Sequence, residues 1–504
     1  MHHAPPSAGP SPARFLLTLS VTDRANELWP QLESIAAARE RSVLAEHLRV
    51  PGSLSVLVID NCSEERQREG IREAQQRALQ VGLQVHAVHD GQVRRSIAQS
   101  RAAQVEHTAR LMRAGVLERP DIVWMLDDDL RFERLAQGER GLEVRRDVDH
   151  FGELARLQQQ HPHASVGLGG VSESPPIRPE AIVRGHLFDL VSTLNFAATL
   201  RPDEPYRLPS CVPPARTADF YYDHSEADTD HLHTPFLWTP DPSLPSSARD
   251  QMRAFVALLP AVLRGSPCTR LLIDNGPTHI DLDPTPLSSP RRGGNAVFFK
   301  LDAFLAHAYP EVELAPGLRS RRADMIGATL LAQAGTHTFH GLRFTLRHVR
   351  GESQGRQAAP GQLTRSLRGE FAGILLARRT MSKEADPVEA LAERRLARIA
   401  ENAREALKLA RALRGDLERP KGWPWSDPQI AQGLEEFLGQ LDEHTRAAYG
   451  ADSYTPAPDP KTWLRERLEL PSLCAAVSQA EGALQDEAHK HQARIRALLS
   501  GDQP

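Results

Sequence analysis

Asp121-Ile-Val-Trp-Met-Leu-Asp-Asp-Asp129, continued by Leu130-Arg131-Phe132, is the stretch on which the reading of this 504-residue chain turns. Five apolar residues, Ile122 to Leu126, run without alternation and stop at three acids. An unbroken apolar run of that length suits a strand covered on both faces. Side chains alternate along a strand, so Asp127 and Asp129 are expected on one side of its end and Asp128 on the other. Two carboxylates at a sheet edge make a hard-oxygen site for Mg²⁺ or Mn²⁺, with room for phosphate oxygens. Taken alone, the triplet reads as an acidic turn that caps a strand. Its neighbours in sequence shift that reading.

Upstream, Phe15 to Val21 is a first strand ending in Thr22-Asp23-Arg24, and helix formers at helical spacing follow from Leu28 to about Leu48. After the break at Pro51-Gly52, Leu54 to Ile59 makes a second buried strand ending at Asp60-Asn61. A helix over Glu64 to Val81, a strand over Leu83 to His89 and a helix from Arg94 to about Ala114 lead into the acidic stretch. Strand–helix alternation of this kind predicts a doubly wound α/β domain with a largely parallel sheet. Ligands bind such sheets outside the carboxyl ends of the strands, where Asp23, Asp60 and Asp127 to Asp129 all fall. Neither kind of Gly-rich phosphate loop follows the first strand, which speaks against NTPase and NAD-binding readings.

This order resembles the GT-A class of nucleotide-sugar glycosyltransferases, family 2 in particular. The motifs that carry the resemblance are Val21-Thr22-Asp23, Val58-Ile59-Asp60-Asn61, the basic helix start Arg94-Arg95-Ser96 through Arg101, and Asp127-Asp128-Asp129 in the place of the DxD motif. It covers roughly residues 14–350 and is loosest in the middle. The resemblance implies an α/β fold of the GT-A (Rossmann-like) kind, with a mixed, mostly parallel sheet flanked by helices. It also implies a nucleotide-diphosphate sugar donor, UDP- or GDP-linked, and Mn²⁺ or Mg²⁺ as cofactor. On the matching positions, Asp129 binds the metal, Asp127 reaches the ribose or the metal shell, and Asp60 accepts a hydrogen bond from a base N–H. Asp23, Asp128 and Arg94 complete the donor site. Asp60 reads equally as a strand-end turn residue, and the arginines as a solvated helix face.

Arg140 to Leu157 reads as charged and helical, and Val166-Gly-Leu-Gly-Gly-Val171 as a small-residue strand and turn where backbone can approach a ligand. Residues 172–290, rich in Pro, Asp, Ser and His, are expected to be an acceptor-side insertion. Within them, His224, Asp228, Asp230, His231 and His233 read as a solvated loop rather than a metal pair. Leu271-Leu-Ile-Asp274-Asn275 echoes the end of the second strand without arguing for duplication. Gly293-Gly294-Asn295, followed by Ala-Val-Phe-Phe299, resembles the Gly-containing strand that packs beside the metal strand in family 2, and makes Gly294 and Asn295 substrate-binding candidates. Arg319-Ser-Arg-Arg-Ala-Asp324 resembles the acidic helix start that supplies the base of inverting enzymes. Asp324 stands at the base position, although the usual Glu-Asp pair is Ala323-Asp324 here. Asp324 also reads as an N-terminal helix acid favoured by the dipole, while Arg322 is a candidate for diphosphate or an anionic acceptor. A His on a late strand often completes GT-A metal coordination; His348 is the first candidate and His340 the second.

The chain carries a net charge of −4, 40% hydrophobic and 25% charged residues, the balance of a globular protein without a nucleic-acid partner. Met1 to Pro10 lacks the basic and apolar regions of a secretory signal, and residues 1–13 read as a disordered tail. No apolar run approaches the ~20 residues of a membrane span. Four scattered cysteines fit a reducing cytoplasm, and abundant Arg and Ala with few Lys fit a GC-rich bacterial genome. Residues 351–361 read as a linker and 362–504 as an all-α region, with helices over Leu363–Arg379, Pro387 to about Leu417, Pro428–Ala448 and Leu473–Leu499. That region is expected to brace the transferase domain or to mediate homo-oligomers. The rival readings are a nucleotidyltransferase, a degenerate transferase acting as scaffold, and a metal-dependent hydrolase that pairs Asp127–Asp129 with the His231 region.

Overall fold

The computed structural model describes residues 12–501 except 90, 92–95, 140, 174–199, 205–235, 238–246, 258–270, 287–295, 350–361, 382–386, 402–407, 409–426, 440–459 and a few isolated positions between them. Arg94, Arg95, the His224–His233 cluster, Asn275 and Gly293–Asn295 therefore lie outside the described residues, as do the linker and most of the tail.

The N-terminal half follows the expected alternation: β1 (Phe15–Val21), α1 (Ala25–Arg41), α2 (Ala45–Leu48), β2 (Leu54–Asp60), α3 (Glu65–Gln80), β3 (Gln84–His89), α4 (Ile97–Arg113) and β4 (Ile122–Leu126). The unbroken apolar runs of β1, β2 and β4 are buried on both faces because helices cover each side of the sheet. Ser96 fixes the start of α4 through a reciprocal capping box with Gln99.

Two short strands, β5 (Leu130–Arg131) and β6 (Arg134–Gly138), follow the acidic triplet, and β6 pairs with β7 (Gly141–Arg145) as a hairpin. The helical reading of 140–157 is thus corrected: the helix, α5, spans only His150–Gln160. Cross-strand pairing and the Arg134 pair with Asp147 override a charged sequence of helical aspect. Further strands are β8 (Val166–Glu173), β9 (Phe236–Leu237), β10 (Leu271–Leu272), β11 (Asp281–Leu282) and β12 (Ala296–Lys300). They are followed by α6 (Leu301–Ala306), β13 (Glu313–Ala315), β14 (Leu318–Arg319), α7 (Ala323–Gln333) and β15 (Phe339–His348).

Among the described residues the main sheet runs β11-β15-β8-β12-β4-β1-β2-β3. It is mixed: β4-β1-β2-β3 and the β15–β8 pair are parallel, whereas β12 runs antiparallel to both of its neighbours. The small residues of β8 serve packing. A Cβ on Gly167 would meet the Phe298 ring at 2.1 Å, and one on Gly169 the Phe344 ring at 2.6 Å, so these positions admit aromatic rings from β12 and β15. That corrects the expectation of backbone left open there for a ligand.

The C-terminal region is helical, with α8 (Gln362–Met381), α9 (Pro460–Arg467) and α10 (Leu470–Ser500). These helices do not stand apart. Ile495 and Leu498 of α10 share a core with Val105 and Ala109 of α4, and Leu375 of α8 and Val477 of α10 share another with Ile326 of α7.

Candidate active site

The site lies at the carboxyl ends of β1, β2 and β4, beneath the start of α1. Strand β4 ends at Leu126, so the acids sit in a turn and the expected strand alternation does not continue through them. Instead Asp128 and Asp129 share one cation: Arg24 Nη1 lies 3.1 Å from Asp129 Oδ2 and 3.8 Å from Asp128 Oδ1. Asp127 takes another, accepting from the guanidinium of Arg101, which is buried on α4. Helix α1 holds the turn from above, where Gln31 Nε2 donates to the Asp127 carbonyl at 2.7 Å and Arg131 pairs with Glu27 at 2.9 Å.

Strand β15 delivers the imidazole. His348 is in register with Leu130 of β5 and with Glu173 of β8, and the Val349 N–H donates to the Asp129 carbonyl at 2.9 Å. This pairing brings His348 Nε2 to 3.2 Å from Asp129 Oδ1, with both side chains 2% exposed. Next door, Arg347 pairs with Glu133 at 2.7 Å and with Glu173, fixing the strand end. His340, the second candidate, lies toward the other end of β15, in register with Gly167 of β8.

Burial and the neighbouring Asp129 push the Asp128 carboxyl up to about 7, against the opposing pull of Arg24. Crowded carboxylates of this kind call for added positive charge. A carboxylate with an imidazole is a mixed oxygen–nitrogen donor pair that suits a first-row ion such as Mn²⁺ better than oxygen-seeking Mg²⁺. Among the described residues no three His, Cys, Asp or Glu side chains converge as a complete metal cage.

Asp23 and Asp60 close the other side. Asp23 holds a left-handed backbone (φ 53°), and its Oδ1 accepts from the Ser63 N–H and hydroxyl at 2.9 and 2.8 Å. Asp60 is buried; the Cys62 N–H donates to its Oδ1 at 2.9 Å, and His89 Nδ1 lies 3.2 Å from Oδ2. Both acids thus tie the strand-end loops together.

Asp324 occupies the first turn of α7, behind Arg322 at φ 73°. The Met325 N–H donates to its Oδ1 at 2.9 Å. Desolvation raises its pKa, opposed by the charges of Arg322 and Arg101. Arg101 thus pairs with Asp127 and acts on Asp324, linking the turn after β4 with the start of α7. Strained non-glycine residues gather where structure over-determines them, commonly at sites. Asp23, Arg322 and Glu173 are three of the four such residues described.

Sequence reasoning missed Arg24 as a partner of the triplet, although it directly follows Asp23 at the strand end. A cavity of about 610 Å³ between α4 and α10, lined by Glu106, Tyr309, Arg319 and Arg494 among others, includes none of Asp127–Asp129, Arg24 or His348 in its wall.

No family model matches the chain, and neither does any curated protein. Among solved structures, it shows a loose likeness to a mannosyltransferase from Pyrobaculum calidifontis in complex with GDP-mannose and Mn²⁺. The two are 13% identical with a TM-score of 0.35, over 95% of this chain and 90% of that one. Among the described residues no helix is long and apolar enough to cross a membrane.

Proposed function

We propose that the chain is a metal-dependent, GT-A-like glycosyltransferase that moves a sugar from a nucleotide-diphosphate sugar to an acceptor. The observation that carries this reading is the meeting of Asp129 and His348, from distant parts of the chain, at the carboxyl edge of the sheet. The position of β12 beside β4 supports it, since the strand after the insertion then flanks the acidic turn.

Asp129 and His348 would hold the divalent ion, whose charge, when bound, offsets that building on the departing diphosphate. Asp127 is assigned to the ribose or the metal shell. Asp60 and Asp23 are assigned to the nucleoside, using the lone pairs their loop contacts leave available. Arg322 is assigned to an anionic group of the acceptor. Asp324, with its pKa raised by burial, is assigned the role of base toward the acceptor hydroxyl, a task that a raised carboxylate pKa favours. Arg94, Gly294 and Asn295 complete the proposed contacts.

A thermal-shift screen of UDP, GDP, CDP and ADP with and without Mn²⁺ tests the reading, because a ligand specific to the folded state raises the melting temperature by mass action. A Mn²⁺-dependent shift with one diphosphate, lost in Asp129→Asn and His348→Gln, supports it and names the donor base. No shift at saturating ligand with folded protein overturns it and favours a scaffold role.

A further inference from the structure

Helix α8, in the C-terminal region, reaches the segment that leads into α7. The Arg321 N–H donates to the Gly369 carbonyl at 3.1 Å, an unusual bond from a connecting segment to a helix backbone. Two glycines one turn apart make this approach feasible. A Cβ on Gly373 would lie 1.9 Å from the Arg321 carbonyl oxygen, and one on Gly369 would lie 2.9 Å from that of Arg319. Between them Glu370, 8% exposed at its side chain, places Oε1 3.7 Å from both Arg321 Nη1 and Arg322 Nη2. A buried carboxylate is costly unless cations and hydrogen bonds compensate it, so its place here is specified by its partners. Arg322 is the residue held at φ 73°, a conformation that favours glycine and persists only where surroundings impose it. It is also the N-cap residue of α7, makes no side-chain capping bond, and precedes Asp324 by two positions.

We infer that Glu370 is a positioning residue: through Arg322 it sets the conformation from which α7 starts, and thereby the placement of the Asp324 carboxylate. Helix α8 is on this account a wall of the active site. The inference deepens the transferase reading and rests on it for the role of Asp324, while its structural half stands independently. A general base displaced by about 1 Å loses on the order of a hundredfold in rate, whereas a donor held by the opposite edge of the site is bound as before.

The test uses the full chain with Glu370→Gln, Gly373→Ala, and Arg379→Gln as a control that breaks the α8–α10 pair of Arg379 with Glu481. Amide hydrogen exchange over residues 320–327, the affinity for the Mn²⁺–nucleoside diphosphate found in the screen, and kcat and KM for donor turnover are measured together. The expected result is faster exchange confined to that segment in Glu370→Gln and Gly373→Ala, with kcat down roughly tenfold to a hundredfold. Donor KM and diphosphate affinity stay within about twofold, and Arg379→Gln changes none of these. Unchanged exchange in a folded Glu370→Gln protein overturns the proposal, as does a loss of kcat matched in Arg379→Gln. Absence of diphosphate binding in the wild type overturns the transferase reading instead, and the exchange measurement still decides whether Glu370 governs the start of α7.

Discussion

His348 Nε2 lies 3.2 Å from Asp129 Oδ1, joining the end of β15 to the turn after β4 in a setting closed to solvent. Removing either partner strands a desolvated polar group, and on the proposed reading it also removes a metal donor. His348→Ala is expected to cost about 1–3 kcal/mol of stability in urea unfolding. The same change should abolish Mn²⁺-dependent stabilisation by diphosphate, which for the wild type is about 2.7 kcal/mol at a hundred times Kd. EDTA should erase the wild-type shift to the same extent.

Arg101 answers Asp127 and acts on Asp324 from within α4. Arg101→Met is expected to destabilise by about 1–3 kcal/mol, below the usual range for a broken buried pair because Asp127 is a third exposed. Arg101→Lys should recover only part of this, since an ammonium cannot reproduce the planar fork. Chemical denaturation of the three proteins side by side measures both.

Acid should weaken the fold through three buried imidazoles. Burial lowers the pKa of His150 and His307 to about 3 and of His491 to about 4. Their unfolded values are near 6.5, so between that pH and the folded values the unfolded chain binds protons the native state does not. The stability these three imidazoles contribute is therefore full above their unfolded value and falls as pH is lowered through this window. The expected loss is about 1–2 kcal/mol per imidazole by pH 5. His150 packs against Trp124, Phe132 and Phe344, so His150→Phe should flatten the acid limb of the melting-temperature profile.

Truncation tests the status of the C-terminal helices. Deleting residues 362–504 would uncover Met325 and Ile326 of α7 and the α4 surface that meets Ile495 and Leu498. Large bare apolar faces drive association. The shortened protein should be recovered as aggregate, and a monodisperse 1–361 fragment with unchanged melting would contradict this packing.

The parts of this architecture that were legible from sequence are those with local causes. The runs Phe15–Val21, Leu54–Asp60 and Ile122–Leu126 announce buried strands, and the amphipathic spacing between them announces helices. The acids at Asp23, Asp60 and Asp127–Asp129 were placed at one edge by that alternation alone. The hairpin of β6 and β7 was not legible, because its charges are neutralised across strands and from Asp147 rather than along a helix face. Nor was the sharing of Arg24 by Asp128 and Asp129, which depends on a turn replacing the strand end. Glu370 was invisible for a similar reason: its meaning comes from glycines that admit another segment's backbone, and spacing along one helix carries no record of that.

The antiparallel seat of β12 against β4 has a consequence for biosynthesis. Strand β4 emerges from the ribosome with β1 and β2 ready as partners on one side, while β12 and the β8–β15 pair that completes its other flank follow much later. During that interval Ile122–Leu126 presents an open, apolar edge, the kind of template that invites intermolecular strand pairing. The high sequence separation of these pairings makes closure slow relative to helix formation, so the edge stays open for a long part of synthesis and folding. His348 arrives only after β12, and the acidic turn gains its imidazole in the same late step that seals the sheet.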